Sequence, residues 1–383
     1  MRVLMVHERY RFRGGEDVAT ETEVELLRAA GHEVTVAIED NRRIAELGLF
    51  RTGLRTVWSV EGTRRIAELL AADDYDVVHV QNFFPLWSPA IHRTANRAGV
   101  PTVQTLHNYR LVCPAATTFR DGRPCRSCVG RRVPWPGVVH GCYRDSATKT
   151  AGVAAMVVGH RLLGTWRDHV GIYSTPSRFL ARMYVEAGWS EDRIVVKPNA
   201  VFPDPGPRPS EGEYALFVGR LAEEKGLRLL LDAWRRDPPV PLRIVGDGPL
   251  RREVEDTAAA SSGVSWLGHV SADEVLALMG SAAVVVVPSV WDEPFGRVVV
   301  EAFAVATPVV VSDRGALPEL VGDGAGAVFD PDEPGGLVAA IDDVLARGAE
   351  AGAAARRRFE DRYSPEVVLA ALEATYERAG RDR

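Results

Sequence analysis

The chain has 383 residues, 46% hydrophobic and 26% charged, with a formal net charge of −6 and a pI near 5.9. That exceeds one ordinary domain of roughly 100–150 residues, so two nearly equal halves are expected, each with apolar side chains enough for its own core. The acidic balance argues against a nucleic-acid partner, which leaves a basic footprint, and no run approaches the ~20 apolar residues that span a bilayer. Met1 to Tyr10 is too short an apolar stretch for a secretory signal and reads as a first strand, so a cytoplasmic protein is expected.

Strand-sized apolar runs at Val3–Val6, Glu33–Ile38, Val77–Val80 and Thr102–Leu106 alternate with helical patterns such as Thr20–Ala30 and Arg64–Ala71. Val201–Glu213 then carries four prolines, which block helix and central strand, so the domain boundary is placed at this segment. Beyond it come strands at Tyr214–Val218, Leu242–Val245, Ser265–Leu267, Ala283–Val287, Pro308–Val311 and Ala327–Phe329. Helical patterns lie between them at Gly226–Arg235, Pro249–Ala260, Ala272–Ser281 and Val298–Ala304, with Gly335–Leu345 and Pro365–Arg378 following. The βα alternation, and runs such as Val284–Val287 that are apolar on both faces, predict mainly parallel sheets in two Rossmann-like α/β domains. Their expected spans are 1–195 and 196–364, with a final helix at 365–383 able to pack on either half.

Open α/β sheets bind ligands beyond the carboxyl ends of their strands, so the informative residues follow strands directly. The segment Glu293-Pro294-Phe295-Gly296-Arg297-Val298-Val299-Val300-Glu301-Ala302 follows the strand Val284–Val287. Gly296 permits a tight turn into a helix beginning near Arg297, whose first amides, of Arg297 and Val298, suit a phosphate. Glu301, one turn on, suits two neighbouring sugar hydroxyls; the bland alternative makes Glu293 a turn residue and Glu301 a solvated helical position. The segment Gly219-Arg220-Leu221-Ala222-Glu223-Glu224-Lys225-Gly226 follows another strand. There Gly219 admits a ligand to the backbone, and the guanidinium fork of Arg220 with the compact charge of Lys225 suits a diphosphate. Its alternative is a solvated helix start.

Together these segments resemble the retaining glycosyltransferases of family 4, two-domain enzymes of GT-B architecture whose sheets face each other across a cleft. The resemblance covers nearly the whole chain and rests most on Glu293–Ala302 and Gly219–Gly226. It implies that 1–195 is an acceptor half and 196–364 a nucleotide-sugar donor half. Arg220 and Lys225 would then hold the donor diphosphate, Glu301 the ribose, and Glu293 the neighbourhood of the donor sugar with Phe295 beside it. Gly246 in Gly246-Asp247-Gly248-Pro249 fits the family's G-x-G-P turn, and Val270 in Leu267-Gly268-His269-Val270 falls where the nucleotide base meets the backbone. Gly14 and Gly15 follow the first strand, where relatives bring paired glycines to donor phosphate and acceptor. His107 ends Thr102–Leu106, where the family places a histidine against the transferred sugar. Asn199 matches an N-G-V turn with Ala200 in place of glycine.

The implied reaction moves a sugar from a UDP- or GDP-linked donor to a glycan, lipid-linked or small-molecule acceptor. It retains the anomeric configuration and requires no cofactor for catalysis, in polysaccharide, glycolipid or glycoconjugate synthesis. The rivals are an epimerase or phosphorylase on the same fold, and a noncatalytic nucleotide-sugar-binding interaction protein.

Cys113, Cys125, Cys128 and Cys142 lie in an insert near 110–143 that is poor in core aliphatics. Their spacing is compatible with a structural zinc, with another metal or a redox disulfide, and with reduced thiols. The insert also carries Arg123, Arg126, Arg131, Arg132 and Trp135, which suit either a solvated basic loop or peripheral contact with anionic lipid at the inner membrane face.

Overall fold

The computed structural model describes residues 1–11, 13–208, 212–235 and 240–381. It divides into two compact units: residues 1–118, 126–200 and 368–383 form the first, and residues 119–125 and 201–367 the second. The chain thus passes between units on either side of Phe119–Cys125, at Ala200–Val201 and again at Val367–Val368. Of the proline-rich segment Val201–Glu213, Pro209 to Glu211 lie outside the described residues.

The strands are β1 (Arg2–Arg9), β2 (Glu33–Asp40), β3 (Val77–Val80), β4 (Thr102–Thr105), β5 (Phe119–Arg120), β6 (Arg123–Pro124) and β7 (Ile172–Thr175). After them come β8 (Ile194–Val196), β9 (Ala215–Val218), β10 (Leu242–Val245), β11 (Val264–Trp266), β12 (Val284–Val287), β13 (Val309–Ser312) and β14 (Gly326–Phe329). The first unit holds a six-stranded sheet in the order β2-β1-β3-β4-β7-β8, the second one in the order β11-β10-β9-β12-β13-β14, and every pairing in both is parallel. Strands β5 and β6 make a small antiparallel hairpin. The order in the second unit is that of the dinucleotide-binding fold, and its direction reverses between β9 and β12. The crevice opened by that reversal lies at the carboxyl ends of β9 and β12, where Gly219–Gly226 and Glu293–Ala302 begin. In the first sheet the reversal falls between β1 and β3.

Side-chain alternation explains why these strands are apolar throughout. Along β12, Val284 and Val286 join one core cluster and Val285 the other; along β9, Ala215 and Phe217 face one cluster and Leu216 the opposite one. Both faces are therefore covered by helices. The final helix, Pro365–Arg381, places Leu372, Tyr376 and Ala379 in the first unit's core with Val3, Met5 and Val103.

Strands β7 and β8 extend the first sheet beyond the four runs expected from sequence. They are short, and Ser174 and Thr175 interrupt the apolar signal of β7, although both are buried. In the sheet interior Leu106 N donates to Ser174 O at 2.7 Å, so the fifth strand is held by its ladder.

Leu372 is fully buried, so Leu372→Ala should leave a cavity and cost the first unit about 2–5 kcal/mol. Urea unfolding followed by circular dichroism should show an earlier transition; an unchanged curve would remove the final helix from that unit's core.

Candidate active site

In the second unit the backbone itself builds the site. Gly226 has φ +69°, and a Cβ there would lie 1.7 Å from the carbonyl oxygen of Pro288, which leaves β12. Val290 N donates to Glu224 O at 3.0 Å, tying the two strand exits together. Gly246, at φ +135°, is pressed on the turn after β9: a Cβ would sit 1.9 Å from Gly219 O. Gly219 N donates to Val245 O and Leu221 N to Asp247 O, both at 3.0 Å. The peptide of Glu293 is clasped in turn, because Gly315 at φ +65° leaves room for it and Ala316 N donates to Glu293 O at 2.8 Å.

This interlock brings Lys225 to Glu293. Lys225 Nζ lies 2.6 Å from Glu293 Oε1, which also accepts from Ser289 Oγ at 2.7 Å. Burial pushes the Glu293 carboxyl up, but the Lys225 charge and these hydrogen bonds outweigh it and hold it below the usual range. The Lys225 ammonium also stands 5.2 Å from the centre of the Trp291 ring. Arg220 is 65% exposed, its Nη1 3.9 Å from Glu224 Oε1, so its guanidinium is available to a ligand at the same strand exit.

Gly296, at φ +127°, precedes the helix Arg297–Ala304, with the amides of Arg297 and Val298 in its first turn, while Phe295 is buried in the core. Glu301 differs from a free ribose acceptor: its Oε1 already accepts from Arg297 Nε at 2.7 Å. Part of this carboxylate's accepting capacity is therefore already taken by Arg297. Gly246 N donates to Gly268 O at 2.8 Å, fixing the loop that carries Val270, itself packed against the core.

In the first unit Gly14 caps the helix Gly15–Ala29, and a Cβ on Gly15 would meet nothing within 4 Å. Asp17 binds Gly14 N at 2.9 Å, Tyr10 N at 3.2 Å and His7 Nε2 at 2.8 Å, which ties the end of β1 and Tyr10 to the start of this helix. Tyr10 OH and Asn108 Nδ2 both donate to Glu16, at 2.9 and 2.6 Å. Together with Gln81, His107 and Arg110 these groups line a small pocket that opens to solvent. Asn199 is buried where the chain leaves this unit.

His107 rests on a polar layer that the sequence reading missed. Its Nε2 lies 2.7 Å from Gln81 Oε1, while Gln81 Nε2 donates to Glu23 Oε1 at 2.8 Å and Lys197 Nζ to Glu23 Oε2 at 2.5 Å. His79 lies 3.1 Å from Glu23 and 2.8 Å from the hydroxyl of Tyr376 in the final helix. Burial pushes Glu23 up, yet Lys197 and His79 more than reverse this, so it is an ionised, acceptor-only group. Gln81 must then turn its NH2 to Glu23 and its oxygen to His107, which requires the proton on His107 Nε2. Burial, with the nearby Lys197 charge, pushes the His107 pKa down to about 3. The ring is neutral at pH 7 and keeps its lone pair on Nδ1. One signal of this layer was legible: Glu23 falls on the stripe Thr20, Glu23, Val24, Leu27, the buried face of its helix.

The cysteines make no disulfide, and among the described residues no three His, Cys, Asp or Glu side chains are gathered to hold a metal ion. Cys128 is buried, its Sγ 3.8 Å from Pro134 O and close beside Gly137.

Comparison with known proteins follows the same division. Residues 14–200 match the family described as Glycosyl transferase 4-like domain, and residues 201–361 that of Glycosyl transferases group 1. Glycogen synthase of Mycobacterium tuberculosis H37Rv is 36% identical over 177 residues, 43% of this chain and 42% of that protein. Phosphatidyl-myo-inositol mannosyltransferase of Mycolicibacterium smegmatis is 36% identical over 180 residues, 44% of this chain and 46% of that protein. These matches span less than half the length of the curated relatives. The crystal structure of Anabaena Alr3699/HepE in complex with UDP and glucose superposes with a TM-score of 0.69 at 17% identity, covering 98% of this chain and 99% of that one. At that identity the likeness establishes the fold, two parallel-sheet domains of GT-B type.

Imidazole ¹⁵N resonances test the polar layer: His107 should remain the neutral Nε2–H tautomer from pH 8 to about pH 4, the window left by its depressed pKa. Removing the acceptor by Gln81→Leu should let the Nδ1–H form appear. Titration of His107 near its ordinary value of about 6.5 in the unaltered protein would overturn this account.

Proposed function

The chain belongs to the group 1 glycosyltransferases, GT4-like members of the GT-B fold, and on that premise we propose that it transfers a sugar from a nucleoside-diphosphate sugar to an acceptor hydroxyl, with retention at the anomeric carbon. The observation that carries this reading is the Lys225–Glu293 pair, 2.6 Å apart at the strand-order reversal of the second unit, with Arg220 exposed beside it. As the bond between sugar and diphosphate breaks, negative charge gathers on the departing phosphate oxygen. Lys225 meets that charge without reorganising, because Glu293 already holds the ammonium in place, and the exposed Arg220 guanidinium swings in beside it. Glu301 takes the ribose through the carboxylate capacity that Arg297 leaves open. His107 accepts a hydrogen bond from a sugar hydroxyl at Nδ1 and does not serve as an acid at neutral pH.

A UDP-linked donor is favoured by the UDP and UDP-glucose complexes of the structural neighbour. The acceptor is a glycan, lipid-linked or small-molecule hydroxyl, and the cavity beside Glu16 and Asn108 offers acceptors for its hydroxyl groups. With the charges of Lys225 and Arg220 at the leaving group, the transfer step needs no metal. The spacing of the four cysteines is compatible with a structural zinc in the insert, apart from the chemistry, but among the described residues their side chains are not gathered around one point, so such a site forms only if they draw together.

Calorimetric titration with UDP, GDP and ADP should select one nucleotide. Lys225→Ala and Glu293→Ala should each lower kcat by about 10²–10³, as removal of a positioned transition-state donor does, and chelator should leave turnover unchanged. No binding of any of the three, or full turnover in Glu293→Ala, would end this reading. Elemental analysis of the purified protein should find one zinc per chain; none would leave the cysteines as thiols.

A further inference from the structure

We propose that the face around the carboxyl end of the helix Ala147–Leu162 docks on an anionic lipid bilayer. Five large apolar side chains are exposed there: Leu162 at 83%, Leu163 at 51%, Trp135 at 53%, Val133 at 49% and Trp58 at 40%. Contacts between their elements make them one patch. The Trp58 ring stacks on His160 with centroids 5.7 Å apart, and His160 Nε2 lies 2.7 Å from Val57 O. Arg161 Nη1 donates to the carbonyls of Arg131 and Arg132 at 3.1 and 2.9 Å, which fixes the segment carrying Val133 and Trp135 to the same helix end. Arg93 Nη1 donates to Leu163 O at 2.8 Å, closing the other side.

Charge identifies the occupant. The chain as a whole carries −6, yet residues 131–168 hold six Arg and Lys against two acids, Asp145 and Asp168. Arg131 stands 5.3 Å from the centre of the Trp135 ring, so guanidinium and indole present together, as an amphipathic interfacial pair does. The neighbouring helix Ile44–Val57 adds exposed Leu49, Phe50 and Leu54 with Arg51 beside them. A protein partner would meet exposed aliphatics ringed by like charges. A bilayer of anionic headgroups satisfies both: side chains enter the acyl boundary, and each Arg near the surface contributes roughly 1 kcal/mol. Of the basic residues that the insert's sequence brought forward, Arg131 and Arg132 lie on this face with Trp135. Arg126 instead stands 5.6 Å from the centre of the Phe179 ring, and Arg123 belongs to the hairpin strand β6. The inference does not depend on the transfer reaction.

The test is flotation of the full chain with vesicles of phosphatidylcholine alone and with 30% phosphatidylglycerol. Binding is expected only to the anionic vesicles, with a blue shift of tryptophan emission. A triple variant Trp135→Ser, Leu162→Ser, Leu163→Ser should reduce it at least tenfold while keeping the wild-type melting temperature, since all three side chains are exposed. Arg131→Glu with Arg132→Glu should act likewise, more strongly at low salt. Absence of flotation, equal binding to neutral vesicles, or undiminished binding of the triple variant would each overturn the proposal. So would a concentration-dependent dimer in ultracentrifugation that the triple variant abolishes, which would make a second copy the occupant.

Discussion

Three loops in the second unit approach each other so closely that no side chain fits between them, and its candidate site depends on this. The Pro288 carbonyl occupies the space of a Cβ at position 226, and the Gly219 carbonyl that of one at position 246. Backbone hydrogen bonds from Val290 to Glu224 and from Leu221 to Asp247 close the gaps. These glycines are needed for proximity as well as for positive φ. Because the strand exits are locked by main chain, Lys225 and Glu293 meet on rigid supports, and a charge pair within the crevice is oriented before any ligand arrives.

The first unit uses the opposite device, a buried ion pair. Lys197 and Glu23 are both almost wholly buried, a costly arrangement that holds because each carries the other's charge and further hydrogen bonds complete the carboxylate. Removing one partner of such a pair costs about 3–5 kcal/mol, so its presence is a weak argument for stability and a strong one for order. Here the order is directional. A carboxylate that can only accept sets the amide of Gln81, and that amide sets the proton on His107. Tyr376 brings the last helix into the same layer through His79, so the end of the chain supports the side chains nearest the cavity.

The sequence by itself determines the alternating βα plan, the parallel sheets and the two strand-exit segments, because each is written in local residue types: unbroken Val and Leu runs, then glycine and charge where a strand stops. It falls short at β7, where serine and threonine are buried by neighbouring strands. Tertiary structure alone decides that Lys225 binds Glu293, 68 residues away, and that Glu23 binds Lys197, 174 residues away. It also gives Glu301 an Arg297 partner that helical spacing permits without requiring. The two long-range pairings are products of strand order, which brings distant side chains together, and for Glu23 and Lys197 burial makes an unpartnered charge too expensive to keep.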